Sequence, residues 1–97
     1  MSTVNWESAL GGDWSDGTNW ELGLVPASNA EVQIALPGAY AVSITSDVTA
    51  ASLTVNATGG TLTETGAGSL TLSGGLSLYN GAVFLNGANS IGGAVRS

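Results

Sequence analysis

Trp14 and Trp20 lie six residues apart around Asp16-Gly17, with Glu7, Asp13 and Glu21 nearby in the chain. Two indoles flanked by carboxylates are the raw material of a sugar-binding platform, because the rings offer flat apolar faces and the acids accept hydrogen bonds from hydroxyls. The same tryptophans can serve a structural purpose. Each buries on the order of 150–250 Å², enough to plug the exposed end of a β core. The plug is the favoured expectation, with Trp6, Trp14, Trp20 and Leu24 forming a cap. The acids permit a further chemistry. Asp13 and Asp16, with Glu7 or Glu21, could gather oxygen ligands for a structural Ca²⁺, which takes about six to eight of them. Neither a D-x-D-x-D-G loop nor a G-G-x-G-x-D repeat accompanies them, so no cofactor is expected.

Catalytic constellations are scarce. The chain contains no Cys and no His, which excludes thiolate nucleophiles, Ser-His-Asp triads, imidazole switches and Cys- or His-ligated metals. A glycosidase needs two carboxylates about 5–9.5 Å apart across a cleft, and no pattern singles out a pair. Lyase chemistry on polyuronic acids needs cationic groups to stabilise an enolate-like intermediate, and only Arg96 is basic. The expectation is therefore a protein that is not an enzyme. Thr54, Thr61, Thr63, Thr65 and Thr71 could form an ice-binding ladder, although Thr is also at home on any solvated strand. Asn56-Ala57-Thr58 matches the glycosylation sequon and is read as a turn.

Positioning such residues falls to strands. Gly, Ser, Thr and Ala make up just over half of the 97 residues. Gly costs a helix roughly 1 kcal/mol per residue, and Ser and Thr offer the backbone rival partners. An all-β chain is left. Its net charge of −6 lacks the cationic footprint that nucleic acid or an anionic membrane requires. No run of 18 apolar residues is present, so no membrane insertion is expected, and no secretory signal is visible.

Residues 1–26 hold all three tryptophans and frequent turn signals without a sustained period, and read as a folded loop that caps the rest. From residue 27 onward the period is two. Val32, Ile34 and Leu36 alternate with small or polar residues up to Pro37-Gly38, and Tyr40, Val42 and Ile44 repeat the pattern. Shorter beats follow at Leu53/Val55, Leu62, Leu70/Leu72, Leu76/Leu78 and Val83/Leu85, each closed by Gly or Asn. Ala51-Ser52-Leu53-Thr54-Val55 recurs as Gly68-Ser69-Leu70-Thr71-Leu72 after 17 residues, a spacing that suits one coil of a β-solenoid. The alternative is an antiparallel sandwich or meander, since Asn80-Gly81 and Asn86-Gly87 are favoured hairpin turns. The expected interior comprises Val32, Ile34, Val42, Ile44, Leu53, Val55, Leu62, Leu70, Leu72, Leu76, Leu78, Val83 and Leu85, with Phe84 outside.

The elements Asp13-Trp14-Ser15-Asp16-Gly17-Thr18-Asn19-Trp20, Leu24-Val25-Pro26, Tyr40-Ala41-Val42-Ser43-Ile44 and Ala51-Ser52-Leu53-Thr54-Val55 resemble the opening coils of bacterial autotransporter-passenger and haemagglutinin-like surface proteins. The resemblance spans roughly residues 13–78 and rests mainly on the paired tryptophans followed by Pro26. It implies a right-handed parallel β-helix, here of about three to four coils over residues 27–97, in a secreted or cell-surface protein with a structural or adhesive role. A glycan is a conceivable ligand of such a module. Members are usually far longer and carry an export signal, so a fragment or a small stand-alone relative is expected. Residues 82–97 offer Val83, Phe84, Leu85, Ile91 and Val95 but no charge besides Arg96, and lack the Lys, Pro and inward charges that protect strand edges. A homo-oligomer, or continuation into a longer chain, is the expected consequence.

Overall fold

Residues 31–34 show how this chain makes strands. Val32 and Ile34 are β-branched and point inward, while Gln33 between them is exposed. The computed structural model describes residues 3–21, 23–65 and 68–96. Ten strands are present among them: β1 (Thr3–Asn5), β2 (Gly12–Asp13), β3 (Glu31–Ile34), β4 (Tyr40–Ile44), β5 (Asp47–Ala50), β6 (Ser52–Glu64), β7 (Ser69–Leu72), β8 (Leu76–Phe84), β9 (Ala88–Ile91) and β10 (Val95–Arg96). The only helical element among the described residues is a 3-10 turn, Gly17–Asn19. The protein is mainly β, as its composition requires.

Every pairing between these strands is parallel. A curled seven-stranded sheet contains β1, β3, β6, β4, β2, β8 and β10, and a three-stranded sheet has the order β5-β7-β9. The long strand β6 pairs through its first half with β3 and through its second with β4, and β8 runs alongside both halves. Side chains consequently stack in columns. Val4, Val32, Leu53, Leu76 and Val95 form one column, and Val42, Leu62 and Val83 another. Val48, Leu70 and Asn89 line up on the smaller sheet. Beyond the first layer, each step along a column is about 20 residues of chain, a period typical of stacked repeats.

The antiparallel alternative fails. Asn80-Gly81 lies inside β8 rather than at a hairpin, and the only antiparallel contact among the described residues is an isolated bridge between Trp6 and Trp20. The 17-residue echo is not the structural repeat either. Leu53 pairs with Leu76, whereas its look-alike Leu70 pairs with Val48 on the other sheet. The two segments match because an apolar pair flanked by hydroxyls suits any wall of the same core. Residues 1–26 also differ from the expected loop, since β1 and β2 extend the ladders of β3 and β4.

Ten of the thirteen residues expected inside are fully buried; Leu78, Val83 and Leu85 are only half-buried because they lie toward the last layer. Phe84 is outside, 54% exposed, as the alternation predicts. Val48, Ala50, Ala30 and Ala57 join the core unannounced. So does Glu64, which shares the inward parity of Leu62 and is fully buried in register with Ile44. Its Oε1 accepts the Gly87 backbone N–H, and its Oε2 has no partner among the described residues. Leaving a buried polar atom unpaired costs about 1–3 kcal/mol.

Candidate functional site

The strongest concentration of specific side-chain interactions lies at the N-terminal end of the stack. After β2, the Asp13 carboxylate accepts the Ser15 N–H and hydroxyl, both at 2.9 Å, and the Thr45 hydroxyl at 2.6 Å. One acid thereby shapes a turn and ties it to the following layer. Asp16 caps the 3-10 turn by accepting the Thr18 N–H at 3.1 Å and its hydroxyl at 2.7 Å. These bonds favour the ionised forms. The Thr45 hydroxyl above all, helped by the Ser15 N–H and hydroxyl, holds Asp13 below the usual carboxylate range against the opposing effect of burial. Thr18 does the same for Asp16.

The turn returns residues 19–21 across the outer edge of β1. Glu7 N–H donates to Asn19 O and Glu21 N–H to Asn5 O, both at 2.9 Å, and Asn5 Nδ2 donates to Glu21 Oε1 at 2.8 Å. In a parallel sheet the residues flanking Trp6 direct their peptide groups away from β3, so these bonds occupy the otherwise free side of the strand. On β2 a side chain does the same work. Asn19 Nδ2 donates to Asp13 O at 3.1 Å, and past the end of the strand, where the Trp14 N–H donates to Ser43 O, Trp20 Nε1 donates to the buried Trp14 O at 2.9 Å. A single short segment thus occupies peptide groups on the outer edges of both first strands.

Beneath it the aromatic rings close over the core. Trp20 packs edge-on against Trp6 and Trp14, with ring centroids 5.0 Å apart in both pairs. Trp6 stacks nearly parallel on Tyr40 at 6.5 Å. Trp6 Nε1 donates to Ser8 O and Tyr40 Oη to Leu36 O. Burial holds the Tyr40 phenol above its ordinary pKa. Trp14 Nε1 alone has no partner among the described residues.

Trp14 and Trp20 are each 0% exposed. That removes the sugar platform, because neither ring offers a face on which a pyranose could stack. Leu24 does not belong to the cap: it is 70% exposed. Gly23, at φ +72°, turns the backbone through a conformation that an L side chain rarely adopts, and the leucine ends on the outside. The acids do not converge either. Asp13, Asp16 and Glu21 are engaged with different partners, and no group of three or more metal-ligating side chains is assembled among the described residues. The threonines that could have formed an ice-binding ladder are also dispersed. Thr54 pairs with Gln33 and Ser77, Thr61 and Thr63 lie farther along β6, and Thr71 lies on the other sheet between Thr49 and Ser90. Asn56 is not in a simple turn but at a register shift within β6, where it accepts the Asn80 side chain at 2.7 Å.

Sequence reasoning overlooked Asn5, Asn19 and Tyr40. Asn19 stands inside the paired-tryptophan element, and its proximity to Trp20 was the available signal; nothing local could have placed Tyr40 against Trp6, 34 residues earlier. No pocket opens among the described residues. No family model, curated protein or solved structure matches the chain.

Proposed function

We propose that the stacked layers close into a right-handed parallel β-helix of about four coils, and that the protein is a non-enzymatic structural or adhesive module forming the capped end of such a stack. The sequence likeness to the opening coils of autotransporter-passenger and haemagglutinin-like proteins fits this role. It carries with it an extracellular or bacterial cell-surface location.

The observation that carries the reading is the asymmetry of the two ends. At the first layer, residues 19–21 bond Asn5 O, Glu7 N–H and Asp13 O along the outer edges of β1 and β2, while three tryptophans cover the apolar cross-section. At the other end β8, β9 and β10 have ladder partners on one side over most of their length. A molecule that terminates growth at one face and leaves the other ready for contact is suited to beginning or anchoring a stack. Four of its seven acids, Glu7, Asp13, Asp16 and Glu21, lie in the first 21 residues, where they keep the closed end hydrated.

Deletion of residues 1–24 tests this. The truncated chain would lack β1 and β2 and expose both the edges of β3 and β4 and the core beneath Trp14 and Trp20, and the expected result is aggregation or loss of cooperative unfolding. A soluble truncation that unfolds cooperatively would overturn the capping role.

A further inference from the structure

We propose that the last layer of the stack is a docking face for a second copy of this chain, the two copies meeting end to end through a twofold axis. The proposal rests on the reading of the layers as coils of one stack, and concerns the end opposite the tryptophans. β10 pairs with β8 only at Leu76 and Ser77, so among the described residues no strand lies beyond the edge of β8 from residue 78 to 84. β9 is likewise the outermost strand of its sheet. Three of the exposed large apolar side chains belong to this layer: Tyr79 at 68%, Phe84 at 54% and Val95 at 63%.

Charge selects the occupant. Residues 65–95 contain no Asp, Glu, Lys or Arg, in a molecule of net charge −6 whose acids all lie between residues 7 and 64. Arg96 on β10 is the one charged residue of this layer, so two such molecules keep their carboxylates apart when these acid-free ends meet. Head-to-tail contact would instead oppose the open edge to the end where residues 19–21 already bond the outward groups of Asn5, Glu7 and Asp13. A strand edge turned through a twofold meets its own copy antiparallel, a pairing that needs no second kind of surface and closes after two subunits. The area is adequate. Extents of 29 × 24 × 24 Å give an end face on the order of 500 Å², so a pair would bury on the order of 1,000 Å², the low edge of specific interfaces.

Sedimentation equilibrium of the full chain, from low micromolar to near-millimolar concentration, tests the proposal. The expected result is a monomer-dimer equilibrium with a Kd on the order of 10 µM and no larger species. Tyr79→Asp and Phe84→Asp should each weaken dimerisation by about tenfold or more. Their far-UV spectra should match the parent, and both positions are exposed enough for at least one variant to fold. Leu10→Asp, at a 97% exposed position near the capped end, should leave the equilibrium unchanged. A monomer at every concentration would overturn the proposal, as would open-ended growth or a dimer sensitive to Leu10→Asp but not to Tyr79→Asp. The capping role stands or falls separately, on the solubility of the truncated chain.

Discussion

Trp20→Ala is expected to lower stability by about 3–5 kcal/mol, the range for removing a large aromatic from a closed core, and to leave little or no folded protein at 37 °C. Three losses coincide at this residue. A ring that is 0% exposed and touches both Trp6 and Trp14 leaves a cavity at the centre of the aromatic cluster. The buried bond from Trp20 Nε1 to Trp14 O disappears, leaving that carbonyl without its donor. Residues 19–21 lose the anchor that holds them across β1. Trp20→Phe separates these effects in part, since it keeps an aromatic ring against Trp6 and Trp14 while removing the donor and part of the ring volume. It should cost less, about 1–2 kcal/mol. Thermal unfolding reads both, because about 1 kcal/mol corresponds to roughly 4–8 °C for a domain of this size. A melting temperature unchanged by Trp20→Ala would mean that the cluster contributes nothing to closing the stack.

Gly81→Ala is the second substitution with a large expected effect. Gly81 lies in the middle of β8 at φ +95°, and a Cβ there would come within 2.7 Å of both Ala57 O and Gly60 O in the neighbouring strand β6. Backbone atoms cannot yield as a flexible side chain can. The expected loss is about 2–4 kcal/mol, combining left-handed strain with displacement of the β6-β8 ladder. The effect depends on parallel stacking. If Asn80-Gly81 were a surface hairpin turn, its glycine would face solvent and alanine would cost only the strain of its dihedral angles. Comparing Gly81→Ala with Gly38→Ala supplies an internal reference. Gly38 also has a positive φ, +129°, but a Cβ there meets nothing closer than 4.0 Å. Urea titrations should place Gly81→Ala well below Gly38→Ala in midpoint; equal midpoints would remove the steric argument.

How far the fold could be read from sequence depended on the range of the forces involved. Val32, Ile34, Val42, Ile44, Leu53 and Leu62 were legible as interior because side-chain alternation is a local property of extended backbone. The same alternation points Glu64 inward with Leu62, but a carboxyl group at an inward position is the exception that alternation alone does not license. Register was not legible. Which strand faces which is decided between segments about 20 residues apart, and several apolar pairs bordered by Ser and Thr are interchangeable by local criteria. The echo between Leu53 and Leu70 illustrates this, because those residues belong to separate sheets.

The candidate site was legible in part. Three tryptophans in so short a stretch marked it, and glycine-rich turns made a compact structure there plausible. The contribution of Asn19 was hidden, because a side-chain donor aimed at a strand edge has no sequence period. Leu24 misled for the opposite reason. Its hydrophobicity favours burial, but the backbone turn at Gly23 directs it outward, and a lone exposed leucine costs too little to oppose that.

The most direct test of the stack is the set of backbone contacts between strands in solution, observed by NMR on uniformly labelled protein. Parallel layering predicts nuclear Overhauser contacts linking the segments around Val32, Leu53 and Leu76 in the same chain direction, and a second series linking Val48 with Leu70 and Asn89. Antiparallel contacts joining residues 76–79 to residues 82–85 across Asn80-Gly81 would contradict the layered architecture and the capped end built on it.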